Sequence, residues 1–102
     1  MSPRNFHLEL TAAAEADYRS ILAYTERMWG ARQVDAYDQV IDNTLTKIAA
    51  QPEAGQKRAG LTYLSGRAGK HLIFYRLEGA RVIVLRILHE KMDFTAHLDE
   101  EG

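Results

Sequence analysis

Arg67, Arg76 and Arg86 fall in one stretch of the chain with His71 and His89. Guanidinium groups stabilise the charge that develops on a phosphorane, and an imidazole moves a proton at neutral pH. That is a working set for acid–base cleavage of RNA. The same cations would equally serve to hold an acidic protein surface, and residue type alone does not separate these uses. Other chemistries lack their pattern. His7, His71, His89 and His97 show no H-E-x-x-H or other close pairing, and His89 with Asp93 straddles a strand end, so no metal site is expected. Ser65 to His71 passes briefly for a phosphate loop. It lacks the G-x-x-x-x-G-K-[ST] spacing and leads into a strand rather than a helix. Asp35, Asp38 and Asp42 read as a solvated helix face, not paired acid–base carboxylates. Cysteine is absent, which removes thiolate ligands, cysteine nucleophiles and disulfides together.

The elements that must position these residues follow from periodicity. The chain has 102 residues, 46% of them hydrophobic, and is read as one domain over 1–102. Phe6 to Leu10 alternates apolar and polar, a half-buried first strand. Thr11 is suited to cap a helix in which Tyr18, Ile21, Leu22, Thr25, Met28 and Trp29 recur at helical spacing, closed by Gly30. Val34, Tyr37, Ile41, Leu45 and Ile48 form the stripe of a second helix that Pro52 stops. Gln51 to Gly60 reads as a loop, Leu61 to Ser65 as a short strand and Gly66 to Gly69 as a turn. His71 to Leu77 and Arg81 to His89 are strongly strand-like, and Met92 to Leu98 suits a terminal helix. The order β-α-α-β-β-β predicts an α+β fold: an N-terminal strand and an antiparallel helical hairpin packed on a small antiparallel sheet. A three-residue turn at Glu78-Gly79-Ala80 would pair Tyr75 with Ile83 and Ile73 with Leu85, leaving Arg76 and Arg86 on the open face.

Formal net charge is −1, yet residues 54–91 carry eight basic side chains against Glu78 and Glu90. Residues 1–51 carry five basic against seven acidic, and the C-terminus returns to acid. A basic middle suggests a local surface for an acidic partner. The polar start has no apolar leader and no run approaches the ~20 residues of a membrane span, so a cytoplasmic protein without membrane contact is expected.

Three segments resemble the RelE/ParE superfamily of bacterial toxins, and its ParE branch in particular. Ala14-Glu15-Ala16-Asp17-Tyr18-Arg19-Ser20-Ile21 is similar to the family's A-x-x-D-l-x-x-I helix opening. Lys70 to Arg76, followed by Glu78-Gly79, resembles its central hairpin. Arg86-Ile87-Leu88-His89-Glu90-Lys91-Met92-Asp93 resembles the R-[IV]-L-H-x-x-M-D ending common in ParE proteins. The likeness covers roughly residues 5–95 and implies the fold derived above.

It also implies one of two activities. RelE-like members cut mRNA on the ribosome, and here Arg67, Arg76 and His89 would be the catalytic residues. Their set is eroded: Leu72 stands where an arginine is common, Tyr63 and Ser65 where lysines are, and Phe94 or Thr95 where a tyrosine is. The resemblance therefore favours ParE, a protein inhibitor of DNA gyrase without turnover or cofactor. Target contacts would involve Arg67, Arg76, Arg86, His89, Met92 and Asp93. A ParD-like antitoxin would form a hetero-oligomer with the toxin, folding a disordered segment over the hairpin and sheet. Tyr24 and Trp29 would anchor it, with Arg76 and Arg86 attracting its acidic tail. For Trp29, helical spacing favours the core instead. Direct contact with nucleic acid is left open.

Overall fold

The computed structural model describes residues 6–57 and 63–98. Strand β1 (His7–Leu10) leads into helices α1 (Ala12–Trp29) and α2 (Ala31–Ala50). A 3₁₀ turn (Pro52–Ala54) then precedes β2 (Gln56–Lys57), β3 (Leu64–Ala68), β4 (His71–Glu78), β5 (Arg81–His89) and a short α3 (Phe94–Leu98). Thr11 caps α1, its Oγ1 accepting from the Ala14 N–H at 3.1 Å. Gly30 takes φ +90° between the helices, a value L side chains rarely adopt, and the chain reverses there within one residue. Ile41, Leu45 and Ile48 of the α2 stripe are buried as the spacing predicts.

The sheet order is β1-β5-β4-β3-β2. The pairs among β2 to β5 are antiparallel, whereas β1 lies parallel to β5, so the sheet is mixed rather than wholly antiparallel. One face carries Ile73, Tyr75, Val82, Val84 and Ile87 against Ala14, Ile41, Leu45 and Ile48 of the hairpin. The other face buries Leu72, Phe74, Ile83, Leu85 and Leu88 beneath Leu98, with Tyr63 and Phe94 alongside.

That second buried face overturns the expected strand register. Glu78 pairs Arg81 across a two-residue turn at Gly79-Ala80, so Tyr75 faces Val84 and Arg76 faces Ile83. Face polarity does not pin a pairing when both faces are apolar, and turn chemistry decides instead. Gly79, at φ +61°, occupies the first central position of the tight turn, as a II′ hairpin requires. Between Phe74 and Tyr75 the register slips, because Phe74 pairs Arg86 while Tyr75 pairs Val84, leaving Leu85 as the extra residue of a bulge.

The bulge moves Arg86 off the open face where it was expected. Its Nε and Nη2 donate to the two carboxylate oxygens of Asp17 at 2.7 and 2.9 Å, and both side chains are only 16% exposed. Asp17 also accepts the Ile87 N–H at 2.9 Å. β1 ends at Leu10, and here α1 takes over the outer edge of β5: Thr11 N–H donates to Val84 O, and Thr11 Oγ1 to Leu85 O.

Two further expectations shift. Gly66 to Ala68 lie in β3 rather than in a turn, which falls at Gly69 and Lys70. A Cβ on Gly66 would come 3.1 Å from Ile48 Cδ1, so this glycine lets α2 approach the sheet. Trp29 is 68% exposed instead of in the core, and Met28 beside it is also exposed. The short strand expected from Leu61 begins outside the described residues; its described part starts at Leu64.

Removing one member of a nearly buried ion pair strands the other. Asp17→Ala should therefore lower stability by about 3 kcal/mol in urea unfolding, and an Asp17→Ala/Arg86→Met double variant should lose less than the two single variants summed. Strict additivity would show that the pair is not coupled.

Candidate functional site

The start of β4 and the end of β5 meet where His71 pairs His89. Their rings sit edge to face, centroids 5.2 Å apart. Between them and the hairpin lies a cleft of about 750 Å³. Ile21, Tyr24 and Trp29 of α1 make its apolar wall, Gln33 and Tyr37 of α2 stand opposite, and Lys70, His71 and His89 line its sheet end. Among the described residues no aspartate or glutamate lines it.

Tyr37 organises that sheet end. Its hydroxyl accepts the Lys70 N–H at 3.1 Å and stands 2.6 Å from His71 Nδ1 and 3.2 Å from Ala68 O. A hydroxyl has one proton: given to Ala68 O, it leaves the oxygen to accept from His71 Nδ1–H, and given to Nδ1, it places the hydrogen of the ring on Nε2. His89 Nδ1 accepts from the Lys91 N–H at 3.2 Å, which leaves the hydrogen of that ring on Nε2. Burial holds the His71 pKa below the ordinary imidazole value, with His89 acting in the same direction and Glu90 and Asp17 opposing. Burial likewise raises the Tyr37 phenol, so it stays protonated at neutral pH.

The fold brings together Tyr24, Trp29 and His89 and separates the arginines. Arg76 stands five residues along β4 from His71, roughly 17 Å at ~3.3 Å per residue. It pairs with Glu78 at 2.6 Å. Arg67 pairs with Glu90 at 2.8 Å and also donates to Gly69 O. It faces Leu72 across the β3–β4 ladder, so alternation sets it opposite to His71. Arg86 is committed to Asp17. Met92 is exposed beyond β5, and Asp93 Oδ1 accepts from the Ala96 N–H at the start of α3. Arg67, Arg76 and His89 therefore do not converge on one reacting atom. Tyr37 and Lys70 are the cleft residues that sequence reasoning passed over, Tyr37 because it reads as one more member of the α2 stripe. Among the described residues no group of three or more histidines and carboxylates could hold a metal ion, and no helix is long and apolar enough to cross a membrane.

Comparison with known proteins matches residues 8–94 to the model of the ParE toxin of type II toxin–antitoxin systems, parDE. The chain belongs to the ParE toxin family. Toxin ParE1 of Caulobacter vibrioides is 39% identical over 93 residues, spanning 87% of this chain and 94% of that protein. Toxin ParE of Escherichia coli is 36% identical over 92 residues, spanning 87% and 89%. Among solved structures, a chain of the chromosomal ParDE system from P. aeruginosa shares the fold at TM-score 0.73 and 18% identity, covering 84% of this chain and 97% of that one. A chain of the RelBE2 toxin–antitoxin complex from Mycobacterium tuberculosis aligns at TM-score 0.58 and 18% identity, covering 86% and 94%. This ParE chain thus has the fold expected from its sequence and is a toxin of the type II toxin–antitoxin class.

Two substitutions check the geometry. Trp29→Ser should change stability by less than about 0.5 kcal/mol, as an exposed side chain does. Tyr37→Phe should cost about 1 kcal/mol, because it removes the part-buried hydrogen bond to His71 Nδ1. Equal losses in urea unfolding would contradict the placement of both. pH gives a second test. With its folded pKa depressed, His71 binds its proton less readily than the unfolded chain does, so stability falls as pH drops from about 7 to about 5. His71→Gln should flatten that slope, which pH-dependent unfolding would record. The depressed carboxylates Glu9 and Glu90 act in the same direction, but below their ordinary value of 4.5.

Proposed function

We propose that this toxin blocks replication by inhibiting DNA gyrase in the cytoplasm, and that a ParD-like antitoxin neutralises it as a hetero-oligomer. The observation that carries the inhibitor reading over mRNA cleavage is the dispersal of the cations. Each of Arg67, Arg76 and Arg86 is bound to its own carboxylate, and Arg76 is remote from both histidines. Phosphoryl chemistry needs its charge stabilisers preorganised around one position, and the three arginines are not gathered in that way. Protein recognition has no such requirement. The names of the relatives point the same way, since they are ParE toxins.

The proposed gyrase-facing surface is the exposed end after β5, Met92 and Asp93, with Arg67 and His89 near it. Arg76 is exposed enough to add to it, whereas Arg86 supports the backbone beneath. The proposed antitoxin anchors are Tyr24 and Trp29, whose exposure leaves apolar area at the hairpin tip.

A plasmid supercoiling assay with purified gyrase, titrating the toxin with and without ATP, tests the reading. Loss of supercoiling, or linear DNA from trapped cleavage, is the expected outcome, relieved by antitoxin. Arg67→Ala/Met92→Ala should weaken inhibition by about tenfold, as loss of interface anchors does. Full supercoiling at large excess, together with cut transcripts in expressing cells, would transfer the function to the ribosome.

A further inference from the structure

The cleft under the hairpin tip combines an apolar wall with hydrogen-bond donors at its sheet end. Lys70, His71 and His89 stand there, and with the two imidazole Nδ1 atoms engaged by the Tyr37 hydroxyl and the Lys91 N–H, Nε2 is the ring nitrogen through which each protonated imidazole can donate to a ligand. Among the described residues no aspartate or glutamate lines this cleft. A volume of about 750 Å³ is within the range of ligand clefts. Glu90, the carboxylate nearest these donors, is bound to Arg67, so donors gathered behind an apolar wall are complementary to an anion carried on an apolar body.

We propose that this cleft is a carboxylate-reading site for an acidic peptide segment: an apolar side chain lies between Tyr24 and Trp29, and an adjacent Asp or Glu carboxylate accepts from His71, His89 and Lys70. The occupant is a protein segment and not a nucleic acid because Arg67, Arg76 and Arg86 are each held by carboxylates instead of tracking towards the cleft. This deepens the antitoxin reading and rests on it only for the source of the segment. Seating a carboxylate there favours the charged imidazole, so the complex takes up a proton and affinity rises as pH falls. The groups facing His71 are Tyr37 from α2, Asp17 from α1, His89 and Glu90 from β5 and its end, and Lys70 beside it. Asp17 is tied to Arg86 and Glu90 to Arg67, which leaves the two histidines as the groups that respond.

The test follows the imidazole and indole resonances of the full chain by NMR while adding acetyl-Leu-Leu-Glu-amide or its Gln counterpart. The Glu peptide is expected to shift His71, His89 and Trp29 together, to raise both imidazole pKa values, and to bind at least about fivefold tighter than the Gln peptide. It should lose about threefold in affinity between pH 6 and pH 8, as expected for coupling to an imidazole. His89→Gln/Lys70→Gln, on exposed or half-buried positions, should remove the preference for Glu while Trp29 still shifts. Equal binding of the two peptides, no shift of the imidazoles, or a uridine hexanucleotide shifting them at lower concentration than the Glu peptide would each overturn the proposal. Because none of these readouts involves gyrase, failure here and failure of gyrase inhibition are separate results.

Discussion

The carboxylate of Asp17 holds the molecule together at the point where its layers join. β1 stops at Leu10 while β5 runs on to His89, so the outer edge of β5 loses its strand partner midway. Unpaired edge groups are costly when buried and a template for association when exposed. α1 resolves both: Thr11 serves Val84 and Leu85, and Asp17 serves Ile87 while clamping Arg86. Six residues separate the two anchors, nearly two turns of helix, so the axis of α1 is fixed against the sheet in position and in rotation. α2 follows through Gly30.

The same pairing changes how the charge of the molecule should be understood. Counted along the chain, the middle is strongly cationic. In space, Arg81 is held by Glu9 at 2.8 and 2.9 Å and Arg86 by Asp17, both carboxylates coming from the N-terminal part. Arg67 and Arg76 find Glu90 and Glu78. The Arg67, Arg76 and Arg81 pairs are exposed and add little to stability individually, but they cancel much of the field that a linear tally suggests.

Most of the architecture was legible in the sequence because it rests on local signals: the Thr11 cap, the 3.6-residue stripe of α2, Pro52, and the β-branched runs on either side of Gly79. What escaped was non-local. The parallel placement of β1 has no local signature. The hairpin register was misjudged because burial of a second sheet face depends on Phe94 and Leu98 far along the chain. Arg86 looked like a surface cation for the same reason, since neither the bulge at Leu85 nor its partner Asp17 is visible in its neighbourhood. Of the site, Tyr24 and His89 were legible as exposed chemistry. Tyr37 was not, because a tyrosine that buries its ring and presents its hydroxyl has the periodicity of any core residue.

The parallel strand at the edge also sets a timetable. The hydroxyl of Thr11 closes on the carbonyl of Leu85, 74 residues later, and among the described residues β1 pairs with β5 alone. During synthesis the helical hairpin can form from neighbouring residues, but α1, which packs on β5, has no floor until the final strand has been made. Nearly the entire chain must therefore leave the ribosome before the fold closes, and a nascent chain interrupted before β5 has neither a completed sheet nor the His89 end of the cleft.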